Sequence, residues 1–116
     1  MKEIRQGDVY WFDVGPATGS VPAKIHSCVI VQCDSFNRSQ IATTLVCPIT
    51  SNMERALSPG NVTLKKGDAR LQKPSVVNVS KVVTIDRIEL DERIGRLPSP
   101  ALASVLMVLR LVFEGN

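Results

Sequence analysis

Histidine is nearly absent from this chain, which carries one, His26, in 116 residues. A zinc centre would therefore need Cys28, Cys33, Cys47 and carboxylates as ligands, and these show no C-x-x-C pair and no recognisable ligand spacing, so metal catalysis is not supported. A serine-hydrolase triad would have to use His26, and no G-x-S-x-G elbow exists to present a serine. Neither GxGxxG nor GxxxxGK[ST] occurs, so nothing argues for a nucleotide cofactor, and no cofactor of any kind is expected. No apolar run approaches the roughly 20 residues that span a bilayer. The opening MKEIRQGD lacks the apolar core of a signal peptide, so the expected compartment is the cytoplasm, with no membrane partner. The three cysteines are an odd number set in apolar runs, which predicts buried, reduced thiols.

At 44% hydrophobic and 22% charged, the composition is that of an ordinary globular protein, and 12.7 kDa corresponds to one domain over residues 1–116. Folding at this size buries roughly two-thirds of the unfolded chain's surface. The 14 Lys and Arg against 11 Asp and Glu leave a net charge of +3. Residues 65–96, with Lys65, Lys66, Arg70, Lys73, Lys81, Arg87, Arg93 and Arg96, supply that excess. Such a bias fits either a solvated mixed-charge surface or a polyanionic partner such as nucleic acid.

The run Gly7–Val14 is β-branched and aromatic and closes at Gly15-Pro16, which predicts a strand. Ala17–Lys24 is small, polar and punctuated by Gly and Pro, the composition of a surface loop. Further strands are predicted over Ile25–Gln32 and Ile41–Ile49, separated by a polar connection at Asp34–Ser39. Shorter ones follow over Asn61–Leu64, Ser75–Val79, Val82–Ile85 and Arg93–Leu97, with Lys65-Lys66-Gly67-Asp68 as a tight turn. Many short strands with little helix between them argue for a small antiparallel barrel or barrel-like sheet.

The period changes at the C-terminus. Ser99 suits an N-cap, Pro100 the first helical position, and Ala101–Phe113 runs without a breaker to Gly115. Leu102, Val105, Leu106, Leu109, Val112 and Phe113 fit one face, and Met107, Val108 and Leu111 make the opposite side apolar too. Such a helix is either tucked wholly into its own sheet or, as inferred here, helps form a homodimer together with the nearby sheet edge.

Local strings say more. Gly7-Asp8-Val9-Tyr10-Trp11, Asp13-Val14-Gly15-Pro16 with Gly19-Ser20, Val29-Ile30-Val31-Gln32 leading to Asn37-Arg38, Cys47-Pro48-Ile49-Thr50-Ser51-Asn52, Pro59-Gly60-Asn61-Val62, Ser75-Val76-Val77-Asn78-Val79-Ser80, Thr84-Ile85-Asp86 and Ile94-Gly95-Arg96 occur in order from about residue 5 to 113. Together they closely resemble the MazF/PemK family of toxin–antitoxin endoribonucleases. The resemblance implies a mostly β, SH3-like barrel of PemK type with a C-terminal helix, working as a dimer. It also implies metal-independent cleavage of single-stranded RNA, in particular mRNA, to a 2′,3′-cyclic phosphate and a 5′-hydroxyl. A cognate antitoxin whose segment fills the RNA groove would silence it.

Such cleavage needs a base for the ribose 2′-hydroxyl, an acid for the leaving 5′-oxygen and groups that stabilise charge on phosphorus. The 2′-hydroxyl is itself the nucleophile, so no serine or cysteine need be activated. The resemblance puts a catalytic threonine at Thr50. Where the family usually has Arg-Pro before the valine-rich strand, this chain has His26-Ser27, and the acidic residue common after Gly-Ser is Val21. His26 is the candidate replacement, because an imidazole serves as acid or base near neutral pH and, protonated, faces phosphate. A PemK-type branch uses an Asp and an Arg where this chain has Asn78 and Ser80, which donate hydrogen bonds but do not act as acids or bases at neutral pH. Ser20, Lys24, Ser51, Asn52, Asn78, Ser80 and Lys81 are the candidate RNA contacts, with Arg38 flanking the groove beside Lys24. Two functions follow: an RNA-cutting toxin using Thr50 and His26, or a catalytically impaired member that binds RNA or antitoxin without turnover.

Overall fold

The computed structural model of the chain describes residues 2–13 and 25–115. The expected loop at Ala17–Lys24 lies outside them, as do the candidates Ser20 and Lys24. Seven strands form one antiparallel sheet: β1 (Asp8–Asp13), β2 (Ile25–Ile30), β3 (Thr43–Thr50), β4 (Val62–Leu64), β5 (Ser75–Val77), β6 (Val83–Asp86) and β7 (Leu90–Arg96). The order is β4-β5-β3-β2-β1-β7, with β6 also paired to β3. A short helix α1 (Asp34–Asn37) sits in the polar connection after β2, and α2 (Ser99–Glu114) closes the chain.

Strand alternation divides the core in two. Val9, Val29, Cys47 and Ile49 point to one side, where they meet Leu64, Val77, Val79 and the α2 residues Val105 and Leu109. Tyr10, Phe12, Cys28, Ile30 and Val46 point to the other, against Ile4, Ile85 and Leu90. Because β1 to β3 are apolar on both faces, they read as nearly continuous hydrophobic runs. Buried Asp8 ties β1 to β7 through Arg93 at 3.3 Å and Arg96 at 3.5 Å.

The expected barrel is an open sheet: β4 and β7 end the strand order and do not pair with each other. Backbone packing fills the seam instead. A 3-10 turn over Asp68–Arg70 follows β4 and lies on β7 so closely that a Cβ at Gly95 would come within 2.5 Å of the Ala69 carbonyl oxygen. Only glycine at 95 permits that approach.

Two local expectations change, those for Ser99 and Cys33, and of the two alternatives for α2 the helix tucked wholly into its own sheet does not hold. Ser99 lies inside α2, whose N-cap is Pro98 and makes no side-chain cap hydrogen bond. Within α2, Val105 and Leu109 are buried, whereas Met107, Leu111, Val112 and Phe113 are exposed, so the helix is covered on one side only. Among the cysteines, Cys28 and Cys47 are buried free thiols but Cys33 is exposed, its Sγ 3.3 Å from the Ser35 hydroxyl. Burial pushes the Cys28 and Cys47 thiols up to about 12, while the Ser35 hydrogen bond holds Cys33 below the usual thiol range. Among the described residues no helix is long and apolar enough to cross a membrane.

Candidate active site

At one end of the sheet β1 finishes, β2 begins and β3 finishes. The register pairs Phe12 with His26 and Ser27 with Ile49. Carried one residue past that last pair, it sets His26 opposite Thr50, and residues opposed in this way share a face. Both line a cavity of about 550 Å³, together with Ser51. The imidazole leans against buried Phe12, with ring centroids 6.2 Å apart and planes at 42°, and His26 is otherwise exposed. Core packing thus fixes one side of the ring and leaves the other to a ligand.

Thr50 sits where the pleat ends and the chain turns. Its Oγ1 accepts the Asn52 backbone N–H at 3.1 Å, and the Asn52 Oδ1 accepts the Glu54 N–H at 3.1 Å, opening the 3-10 turn Met53–Leu57. The threonine hydroxyl is therefore held as an acceptor, with no acceptor of its own among the described residues. Strand-end hydroxyls commonly stabilise turns in this way.

The opposite wall comes from the segment after β4. Arg70, Leu71, Gln72, Lys73 and Ser75 line it, with Ile94 of β7 and Trp11 of β1 completing the cavity. The indole is 41% exposed, a flat surface of the kind on which nucleic-acid bases stack. The described lining residues include two permanent cations, Arg70 and Lys73, one imidazole and the hydroxyls of Ser27, Thr50, Ser51 and Ser75, but no carboxylate. An anion entering this cavity meets donors and positive charge from these described residues.

Arg70 reaches the cavity by a constrained route. Ala69 and Arg70 both have positive φ, 52° and 62°, a conformation that costs non-glycine residues on the order of 1–3 kcal/mol. The turn is closed by hydrogen bonds from Gly67 N–H to the Leu71 carbonyl at 2.8 Å and from Lys65 N–H to Asp68 Oδ2 at 2.9 Å. Leu64, Ala69 and Leu71 are buried around it, so Arg70 is the residue left facing out.

Of the residues singled out from sequence, the structure brings His26, Thr50 and Ser51 together. Asn52 is exposed beside the cavity without lining it, and its side-chain oxygen is engaged in the turn. Asn78, Ser80 and Lys81 belong to a second region. Buried Asn78 donates its N–H to the Pro48 carbonyl, the Ser80 hydroxyl reaches Asn78 Oδ1 at 3.5 Å, and the 3-10 turn Val79–Lys81 packs near α2 rather than along this cavity. Arg38 does not flank the groove. It follows α1, past the far end of β2 from His26, where it lines a separate cavity of about 780 Å³ with Arg87. Sequence reasoning missed Trp11, Arg70, Gln72 and Lys73. The basic segment 65–96 contains Arg70 and Lys73, but nothing local shows that they line one cavity with the ends of β2 and β3.

The chain is similar along nearly its whole length to known proteins. Residues 5–113 match the model of the PemK-like, MazF-like toxins of type II toxin–antitoxin systems. The chain is 40% identical over 111 residues to the endoribonuclease MazF6 of Mycobacterium tuberculosis, covering 96% of this chain and 97% of that protein. It is 32% identical over 102 residues to the endoribonuclease MazF of Staphylococcus saprophyticus, covering 88% and 84%. A crystal structure of MazE–MazF from Deinococcus radiodurans superposes with a TM-score of 0.81 over the whole of both chains at 19% identity, which speaks to the fold alone. From its sequence match over nearly the full length, the chain belongs to the PemK-like, MazF-like toxin family of type II toxin–antitoxin systems.

Proposed function

We propose that this chain is a sequence-specific endoribonuclease toxin that cuts single-stranded RNA, mRNA above all, in the cytoplasm. One observation carries the reading: a cationic cavity, without a carboxylate among its described lining residues, that sets an imidazole opposite a strand-end hydroxyl, beside an exposed indole. Its relatives named as endoribonucleases support it. A base stacks on Trp11, and the hydroxyl of Ser51 and the amide of Gln72 are placed to read base edges or sugar.

The reaction needs no protein nucleophile. The ribose O2′ attacks phosphorus, the O2′–P bond forms as the P–O5′ bond breaks, and a 2′,3′-cyclic phosphate and a 5′-hydroxyl remain. A ring nitrogen of His26 takes the O2′ proton, the Thr50 hydroxyl donates a hydrogen bond to the reacting phosphate, and the 5′-oxygen takes a proton from solvent. These steps run on side chains alone, so the reaction is metal-independent. The protein acts as a homodimer through the exposed face of α2, and a cognate antitoxin silences it by laying a segment in the same groove.

The test is incubation of the purified chain with a long RNA in EDTA, followed by mapping of the ends. Cuts at a short recurrent sequence with cyclic-phosphate and 5′-hydroxyl ends are expected. RNA that is bound but stays intact selects the catalytically impaired alternative.

A further inference from the structure

We infer that Arg70 is the group that binds the scissile phosphate and stabilises the charge that develops on it, an assignment that rests on the RNA-cleaving reading of this cavity. The attack of O2′ turns a phosphodiester carrying one negative charge into a five-coordinate phosphorus carrying more. A charge that grows during the reaction calls for a permanent cation fixed in advance. His26 does not fill that role while it works as the base, since it must be neutral to accept the O2′ proton. Thr50 offers a hydroxyl dipole only. Among the described residues the cavity holds two permanent cations, Arg70 and Lys73.

The backbone separates the two. Arg70 is held at a φ of 62°, next to Ala69 at 52°, in a hydrogen-bonded turn whose neighbours Ala69 and Leu71 are sunk in the core. Non-glycine residues occupy this conformation where the surroundings over-determine it, and such strain clusters at functional sites. Gly95 keeps the strand beneath free of a Cβ that would collide with the Ala69 carbonyl. Among the described residues Arg70 makes no ion pair and no side-chain hydrogen bond, whereas Arg93 and Arg96 are both engaged with Asp8. A guanidinium, planar and always charged, presents paired donors to two phosphate oxygens. The turn therefore brings a guanidinium without an ion pair to the cavity that His26 and Thr50 also line.

The test compares the wild-type chain with Arg70→Ala, Arg70→Gly, Arg70→Lys and, as a control cation on the same turn outside the cavity, Lys66→Ala. Cleavage of a short RNA gives kcat and KM. A 2′-deoxy-substituted oligonucleotide of the same sequence, which is not cut, gives ground-state affinity, and a thermal melt gives stability. Arg70→Ala and Arg70→Gly are expected to lower kcat by about 100-fold or more, with deoxy-oligonucleotide affinity changed much less. Arg70→Lys recovers part of the loss, and Lys66→Ala cleaves as wild type. Glycine relieves the positive φ, so Arg70→Gly melts no lower than Arg70→Ala. Unchanged kcat in Arg70→Ala, loss confined to KM, or loss that tracks melting temperature across the variants overturns the assignment while leaving the endoribonuclease reading intact. A wild-type chain that cuts no RNA refutes that reading, and the Arg70 assignment with it.

Discussion

His26 and Thr50 lie 24 positions apart in sequence, yet the β2–β3 register makes them neighbours on one face. Under the proposed mechanism the histidine takes the O2′ proton, so His26→Ala is expected to lower RNA cleavage by about 100-fold, or ~2.7 kcal/mol of transition-state stabilisation. Equal activity in the variant would remove the histidine from the mechanism. Cysteine chemistry differs by site for the same physical reason that burial differs. Cys28 and Cys47 stay protonated because burial raises them to about 12, whereas the Ser35 hydrogen bond lowers Cys33, which is exposed. In the native protein at neutral pH a thiol reagent should therefore label Cys33 alone, and Cys33→Ser should abolish the fast reaction. The sign for stability follows: unfolded thiols ionise near pH 9 while the buried pair does not, so stability is full below about 9 and falls as pH rises toward 12. That Thr50 belongs to the cavity was legible in sequence as a candidate, because a strand-end Pro-x-Thr string travels with its neighbours. Arg70 was not, because its role depends on a turn that must fold across the sheet before it meets His26.

Among elements, the 65–71 turn does the most to build the site. Lys65-Lys66-Gly67-Asp68 announces a turn by composition alone, and the Asp68 carboxylate indeed accepts the Lys65 N–H. Composition does not announce the two positive-φ residues that follow, nor that the turn closes the seam between β4 and β7. Gly95→Ala would place a Cβ 2.5 Å from the Ala69 carbonyl oxygen, so backbone must move. Overpacking of that kind typically costs ~1–3 kcal/mol, and here it should lower the melting temperature by several degrees and reduce RNA cleavage by displacing Arg70. A melt and a cleavage rate both equal to wild type would show that the turn is not seated on β7 as described. The strands themselves followed from periodicity with shifts of a few residues at their ends. Helix α1 and the 3-10 turns were hidden, being too short for any period to show.

For the molecule as a whole, two cores on opposite faces of β1 to β3 explain why a chain with few aromatics folds: three strands bury both faces, and α2 covers one of them with Val105 and Leu109. That leaves Met107 57%, Leu111 49% and Phe113 67% exposed on one helix. Under the dimer proposal, replacing Leu111 and Phe113 together by Asp should convert the protein from dimer to monomer in light scattering at micromolar concentration, with secondary structure retained. A wild-type monomer under the same conditions would overturn that proposal. Apolar periodicity gave this helix, but not which side the sheet would cover.

In the proposed reaction the ribose 2′-hydroxyl is the nucleophile, in the cavity lined by His26, Thr50 and Arg70. Its most direct test is a synthetic RNA carrying the cleaved sequence, compared with the same strand in which only the nucleotide 5′ of the scissile phosphate is 2′-deoxy, both in EDTA. A 2′,3′-cyclic phosphate and a 5′-hydroxyl are expected from the first and no cut at that position in the second. Cleavage of the deoxy strand, or products ending in 3′-hydroxyl and 5′-phosphate, would contradict it.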